Sequence, residues 1–215
     1  MTGVRVVAFD CDGVLFETLE ANRQYYDHIL QQFGRPRMNA EQLQFSHIHT
    51  VDQIIERLFP EPAVQAAAHA FRRSLDYGIF LKYLTIEPDL IALLDWMDGS
   101  YPRAIATNRT DTMSRLLQEF DLTRRFEMVV TSRDVERPKP FPDPLQKILA
   151  RFGAAPHQML FVGDSIVDQR TADAAGVPFV AYRNPELRAT HHIRALGELK
   201  PLLERMGDPT EMKRI

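Results

Sequence analysis

The chain has a single cysteine, Cys11, so no internal disulfide framework holds it together, and a reducing compartment suits it. It has no apolar run approaching the ~18 residues that a membrane span needs. It has no excess of either charge: 26 Lys and Arg stand against 29 Asp and Glu, a formal net charge of −3. Neither nucleic acid nor an anionic membrane is therefore implied as a partner. Internal repeats and low-complexity tracts are absent as well. The chain opens almost directly on an apolar strand, leaving no room for a signal peptide, and the expectation is a soluble, cytoplasmic protein. With 215 residues, 45% of them apolar, it can bury its own core, as one large domain or as a main domain with a smaller insertion.

What is present begins with Val4-Arg5-Val6-Val7-Ala8-Phe9-Asp10-Cys11-Asp12-Gly13-Val14-Leu15. A β-branched apolar run of this kind predicts a strand buried on both faces, near the middle of a parallel sheet. Asp10 and Asp12, two residues apart, point the same way on an extended chain. Two like charges so close are costly unless a cation or a proton lies between them, which points to a metal-dependent site. Cys11 lies between them, points into the core and reads as packing.

Phe16 to Phe33 has helical spacing, stopped by Gly34 and Pro36. Asn39 or Ser46 could cap further helices, Val51 to Phe59 repeats the spacing, and Ala63 to Tyr77 is helical after Pro60 and Pro62. No strand is legible between Phe16 and Lys82, so this stretch reads as an inserted helical cap. Thereafter strands and helices alternate: strands at Arg103–Asn108, Met128–Thr131, Met159–Asp164 and, last, Pro178–Tyr182. Helices are expected from Pro88, over Asp111–Phe120, Leu145–Phe152 and Asp168–Ala175, and finally over Leu196–Met206, followed by a polar tail from Gly207 to Ile215. That alternation predicts an α/β fold, a doubly wound parallel sheet with an inserted helical cap domain. The expected boundaries are residues 1–16 and 84–215 for the core and 17–83 for the cap.

In such sheets ligands bind off the carboxyl ends of the strands. Asp10 and Asp12, Thr107 and Asn108, Thr131 and Ser132, and Asp164 all stand where an apolar strand stops. One helical turn brings Asp164 and Asp168 to the same side. Four carboxylates aimed at one place offer hard oxygen ligands suited to Mg²⁺. Asp168 taken alone could equally be a helix cap. Thr107 and Asn108, ahead of a helix, suit phosphate oxygens, although Thr107 or Thr110 could simply cap that helix. Lys139, in the stiff run Arg137-Pro138-Lys139-Pro140-Phe141-Pro142, could offset the aspartates and stabilise a transferring phosphoryl group. By itself it could as well be a solvated lysine.

The order Asp10-Cys-Asp12-Gly-Val-Leu, Thr107-Asn108, Lys139-Pro-Phe-Pro and Gly163-Asp164-Ser-Ile-Val-Asp168 resembles the four motifs of the haloacid dehalogenase-like (HAD) hydrolases. The spacing fits the subgroup with a helical cap after the first motif, and Gly163 through Gly176 is similar to phosphoglycolate phosphatases. The resemblance implies Asp10 as nucleophile, forming an aspartyl-phosphate, and Asp12 as general acid and then base. It implies Thr107, Lys139 and Asn108 as phosphate ligands. It also implies that Asp10, the Asp12 carbonyl, Asp164 and Asp168 hold Mg²⁺. Asp12 argues against a dehalogenase, which lacks that acid. The absence of lysine between Phe16 and Leu81 argues against a Schiff-base phosphonate hydrolase. Glu17-Thr18 departs from the usual Asp-Ser.

The implied substrate is a small phosphorylated metabolite. His47 and His49, in Phe45–Thr50, fall where the cap's specificity loop would lie, with Arg23 or Tyr26 on the first cap helix as further candidates. Surface loop or capping roles remain open for all of these. His191-His192, adjacent and divergent, is not expected to bind metal. Two other readings share the scaffold: a β-phosphoglucomutase-like phosphoryl transfer, and a non-catalytic regulatory protein.

Overall fold

The computed structural model describes residues 3–207. Strand β1 (Val6–Phe9) is followed by the two-residue β2 (Phe16–Glu17) and four helices: α1 (Leu19–Gln32), α2 (Ala40–Ile48), α3 (Val51–Leu58) and α4 (Pro62–Ser74). A 3₁₀ segment, Tyr77–Tyr83, leads to β3 (Thr85–Ile86). The rest alternates: α5 (Leu90–Met97), β4 (Arg103–Ala106), α6 (Met113–Glu119), β5 (Met128–Val130), α7 (Asp143–Phe152), β6 (Met159–Gly163), α8 (Ile166–Ala175), β7 (Phe179–Tyr182), β8 (His191–Ile193) and α9 (Leu199–Gly207). The polar tail lies beyond the described residues.

Six strands form one sheet in the order β5-β4-β1-β6-β7-β8, and every neighbouring pair is parallel. Both faces are covered, as the unbroken apolar runs require. Val7, Phe9, Leu160 and Val162 face one core with α5, α6 and α9, while Val6, Ala8, Met159 and Phe161 face the other with α7 and α8. The doubly wound α/β fold expected from the alternation is therefore present. From β1 the chain winds outward through β4 to β5, and from β6 it winds the other way. The switch point falls between β1 and β6, at Asp10 and Asp164.

Three local expectations are corrected. A strand does occur in the stretch that reads as all helix: β2 pairs antiparallel with β3 through Phe16–Ile86 and Glu17–Thr85. Two residues are too few for a period-2 signal, and only the partner reveals them. Pro178–Tyr182 is not the last strand, because β8 adds a polar edge beside β7. Its His191-His192-Ile193 sequence has little of the usual strand composition. Ser46 does not cap a helix; it sits inside α2, donating to the Leu43 carbonyl. Asn39 caps α2 and Thr50 caps α3, each in a reciprocal capping box with Gln42 and Gln53.

Candidate active site

The backbone of β1 continues its ladder one residue past the strand, with Asp10 N–H donating to the Val162 carbonyl at 2.9 Å. This fixes Asp10 at the sheet edge. Its Oδ1 lies 2.7 Å from Lys139 Nζ, and the same nitrogen lies 2.6 Å from Asp168 Oδ1. Lys139 is 4% exposed, so the ammonium is buried between two carboxylates. Burial alone would lower its pKa, but Asp10 and Asp168 outweigh that and hold it firmly protonated. Asp168 Oδ2 also accepts from the main-chain N–H and the hydroxyl of Ser165, which caps α8. Asp168 takes part in a cap box and in the cluster at once.

Ligand oxygens of Asp10, Asp164 and Asp168 all lie within 4.8 Å of one another. Burial, with the charge of Asp168, pushes Asp10 well above the ordinary carboxylate pKa. Burial and Asp168 likewise push Asp164 up. Lys139 is the one ammonium among these three carboxylates, with His47 beside Asp164, and the oxygen donor set suits a hard divalent cation.

The Asp12 carboxylate does not join that group. It turns to Arg109, whose Nε reaches Oδ2 at 2.9 Å and whose Nη2 reaches Oδ1 at 2.7 Å. Burial would raise the Asp12 pKa, but the Arg109 charge and hydrogen bonds overcome it and hold Asp12 below the usual carboxylate value. Arg109 Nη1 donates in turn to the Tyr77 hydroxyl at 2.9 Å and to Thr112 Oγ1 at 3.2 Å.

Thr107 is buried at the end of β4 and lines the cavity above Asp10. The amide of Asn108 donates to the Ile48 carbonyl at 3.2 Å and the Lys139 carbonyl at 3.1 Å. It ties the end of α2 to the lysine loop. Its Oδ1 is buried and has no hydrogen-bond partner among the described residues.

His47 and His49 both line the cavity. His47 Nε2 stands 3.4 Å from Asp164 Oδ2. Burial would lower its pKa, but Asp164 dominates and raises it to about 9. His49 stacks on Phe45, with ring centroids 3.7 Å apart. Arg23 is a correction: it is half-exposed and reaches Glu20 at 3.4 Å, away from the cavity. The buried face of α1 instead presents Asn22, Tyr25 and Tyr26 there. Two arginines in the cavity wall, Arg109 and Arg72, were not singled out by sequence; Arg72 is buried and pairs with both oxygens of Asp111 at 3.1 Å. Position immediately after Thr107-Asn108 was the available signal for Arg109.

Gly13 turns the chain with φ +79°, and a Cβ there would lie 2.1 Å from Asp164 Oδ2. Gly13→Ala is expected to lower stability by about 1–3 kcal/mol, because it combines a left-handed backbone with this clash. A thermal melt checks it; an unchanged Tm would mean that the turn is not held against Asp164.

The parallel sheet with carboxylates at its switch point defines a doubly wound, Rossmann-like α/β protein with its site at the carboxyl edge of the sheet, and the family follows. Residues 7–182 match the haloacid dehalogenase-like hydrolase family, and the chain belongs to it. It is 29% identical over 188 residues to a phosphoglycolate phosphatase of Photorhabdus laumondii, covering 84% of this chain and 80% of that protein. The phosphoglycolate phosphatase of Escherichia coli K12 is 45% identical over a shorter stretch of 80 residues, 37% of this chain and 32% of that protein. Among solved structures, a HAD-superfamily hydrolase, subfamily IA, from Geobacter sulfurreducens superposes with a TM-score of 0.83 at 35% identity, covering 93% of this chain and all of that one. Among the described residues no helix is long and apolar enough to cross a membrane.

Proposed function

We propose that the protein is a Mg²⁺-dependent phosphatase for a small phosphomonoester, similar in activity to phosphoglycolate phosphatases. The observation that carries this reading is the buried Lys139 ammonium between Asp10 and Asp168 beneath a cavity that Thr107 also lines. Asp10, Asp164 and Asp168, with the Asp12 carbonyl, would hold the ion. When bound, it offsets the charge gathered around the phosphoryl oxygens. The Asp10 carboxylate attacks phosphorus and forms an aspartyl-phosphate. Lys139 and Thr107 hold the phosphoryl oxygens in line with it, and Asn108 keeps the lysine loop in register. Asp12 hands its proton to the leaving alcohol and then takes one from the attacking water. Residues 17–83, the helices from α1 to α4, would act as a cap over this site, with His47, His49 and Tyr26 facing the alcohol part of the substrate. Such a protein would work in the cytoplasm on a metabolite.

Phosphate release from a panel of small phosphomonoesters, with Mg²⁺ and with EDTA, tests the reading. Release from one or two esters that EDTA abolishes is expected. Isomerisation of a sugar phosphate with little release of phosphate would replace hydrolysis by phosphoryl transfer, and silence across the panel would remove both.

A further inference from the structure

Asp12 faces two demands that conflict. As the group that serves the leaving alcohol, it must turn an oxygen toward the bridging oxygen when the ester bond breaks. Instead its carboxylate is clamped by two nitrogens of Arg109, at 2.9 and 2.7 Å, with both side chains nearly buried. A buried ion pair of this geometry does not open unless something replaces the lost partner. Arg109 is itself held on its far side, Nη1 donating to Tyr77 and Thr112, so its guanidinium stays in the cavity wall when another anion replaces Asp12.

The direction of the substrate follows from these contacts. With phosphorus at Asp10 and the bridging oxygen at Asp12, the carbon next to that oxygen faces the partner of Asp12, which is Arg109. Both arginines of the wall are paired with a carboxylate, Arg72 with Asp111 and Arg109 with Asp12, but only the partner of Arg109 is a group the reaction needs released. A planar guanidinium with its donors in a fork fits a carboxylate or a second phosphate on the leaving group.

We infer that Arg109 is the specificity-determining residue of this site: it holds both Asp12 oxygens in an ion pair until an anionic group on the alcohol side of the substrate takes over the guanidinium and frees the Asp12 carboxylate to face the bridging oxygen. A neutral leaving group offers no replacement, so it leaves Asp12 locked. A ligand drives such an exchange only through its preference for the released arrangement, and the second anion supplies that preference. The inference rests on the phosphatase reading for the role of Asp12. The exchange of partners at Arg109 can be read without turnover.

The test uses two non-hydrolysable phosphonates that differ in one end group, 3-phosphonopropionate and propylphosphonate. Their binding to the full chain with Mg²⁺ is measured by titration calorimetry. The parent protein is expected to prefer the carboxylate compound by about 100-fold, the scale of one well-formed buried charge pair. Arg109→Gln should bring that preference close to one, and Arg109→Lys, which keeps the charge but not the fork, should restore part of it. With the corresponding esters, phosphoglycolate and ethyl phosphate, Arg109→Gln should lower kcat/KM for the first and raise it for the second. An equal loss for both compounds would mean that Arg109 merely supports the wall, and would overturn the inference. So would a parent protein that binds both phosphonates alike. Retained preference in binding together with no phosphate release from either ester would remove the phosphatase reading and leave the Arg109 assignment standing.

Discussion

Asp10→Asn is expected to lower kcat by at least about 10⁴-fold while the protein remains folded, because an amide cannot serve as the attacking nucleophile. The fold should not suffer. Burial and Asp168 raise the Asp10 pKa in the folded chain, so the ionised carboxylate is disfavoured by folding at neutral pH. A group whose folded pKa is raised in this way weakens the native state above its unfolded pKa, and a neutral side chain removes that effect. Lys139 keeps Asp168 as a partner at 2.6 Å. The Tm of the metal-free variant should therefore be no lower than that of the parent. Phosphate-release assays and thermal melts check both parts, and substantial remaining turnover would end the nucleophile assignment.

Lys139→Met should do the opposite and harm stability as well as activity. The methionine fills a similar volume, but it leaves the carboxylates of Asp10, Asp164 and Asp168, within 4.8 Å of one another, with no ammonium among them. Breaking a buried pair from one side destabilises by about 3–5 kcal/mol. For a chain of this size that corresponds to a fall of about 10 °C in Tm. Mg²⁺ should restore more stability to the variant than it adds to the parent, since a divalent cation binding only the folded chain contributes about 2.7 kcal/mol at 100 times its Kd. Melts with and without Mg²⁺ measure the difference. Equal Mg²⁺ responses would show that the three carboxylates do not form the cation site.

The strand-end residues were legible because one signal places them all. An apolar run long enough to be a buried strand ends abruptly at a carboxylate or hydroxyl, as at Asp10, Thr107 and Asp164, and parallel sheets put such ends on one edge. Lys139 was legible because prolines on both sides limit where its chain can go. The pairing of Asp12 with Arg109 was not, since it joins residues 97 positions apart and depends on the direction of one side chain. Arg23 misled for a related reason. It lies on the right helix, next to Asn22, but a step of one residue turns a helix by about 100°, and its face meets Glu20 rather than the cavity. The ribbon of β2 and β3 escaped because two residues carry no alternation, and the edge strand β8 because His191-His192-Ile193 lacks the usual strand composition.

Because β2 and β3 lie side by side, the chain departs from the sheet and comes back to it across the width of one strand pair, about 4.8 Å. An insert of another length or shape can be spliced at that seam without shifting β1 against β4 or β6. Under the proposed cap role of residues 17–83, sequence drift there would retune what enters the cavity while the strand ends that surround Asp10 stay as they are.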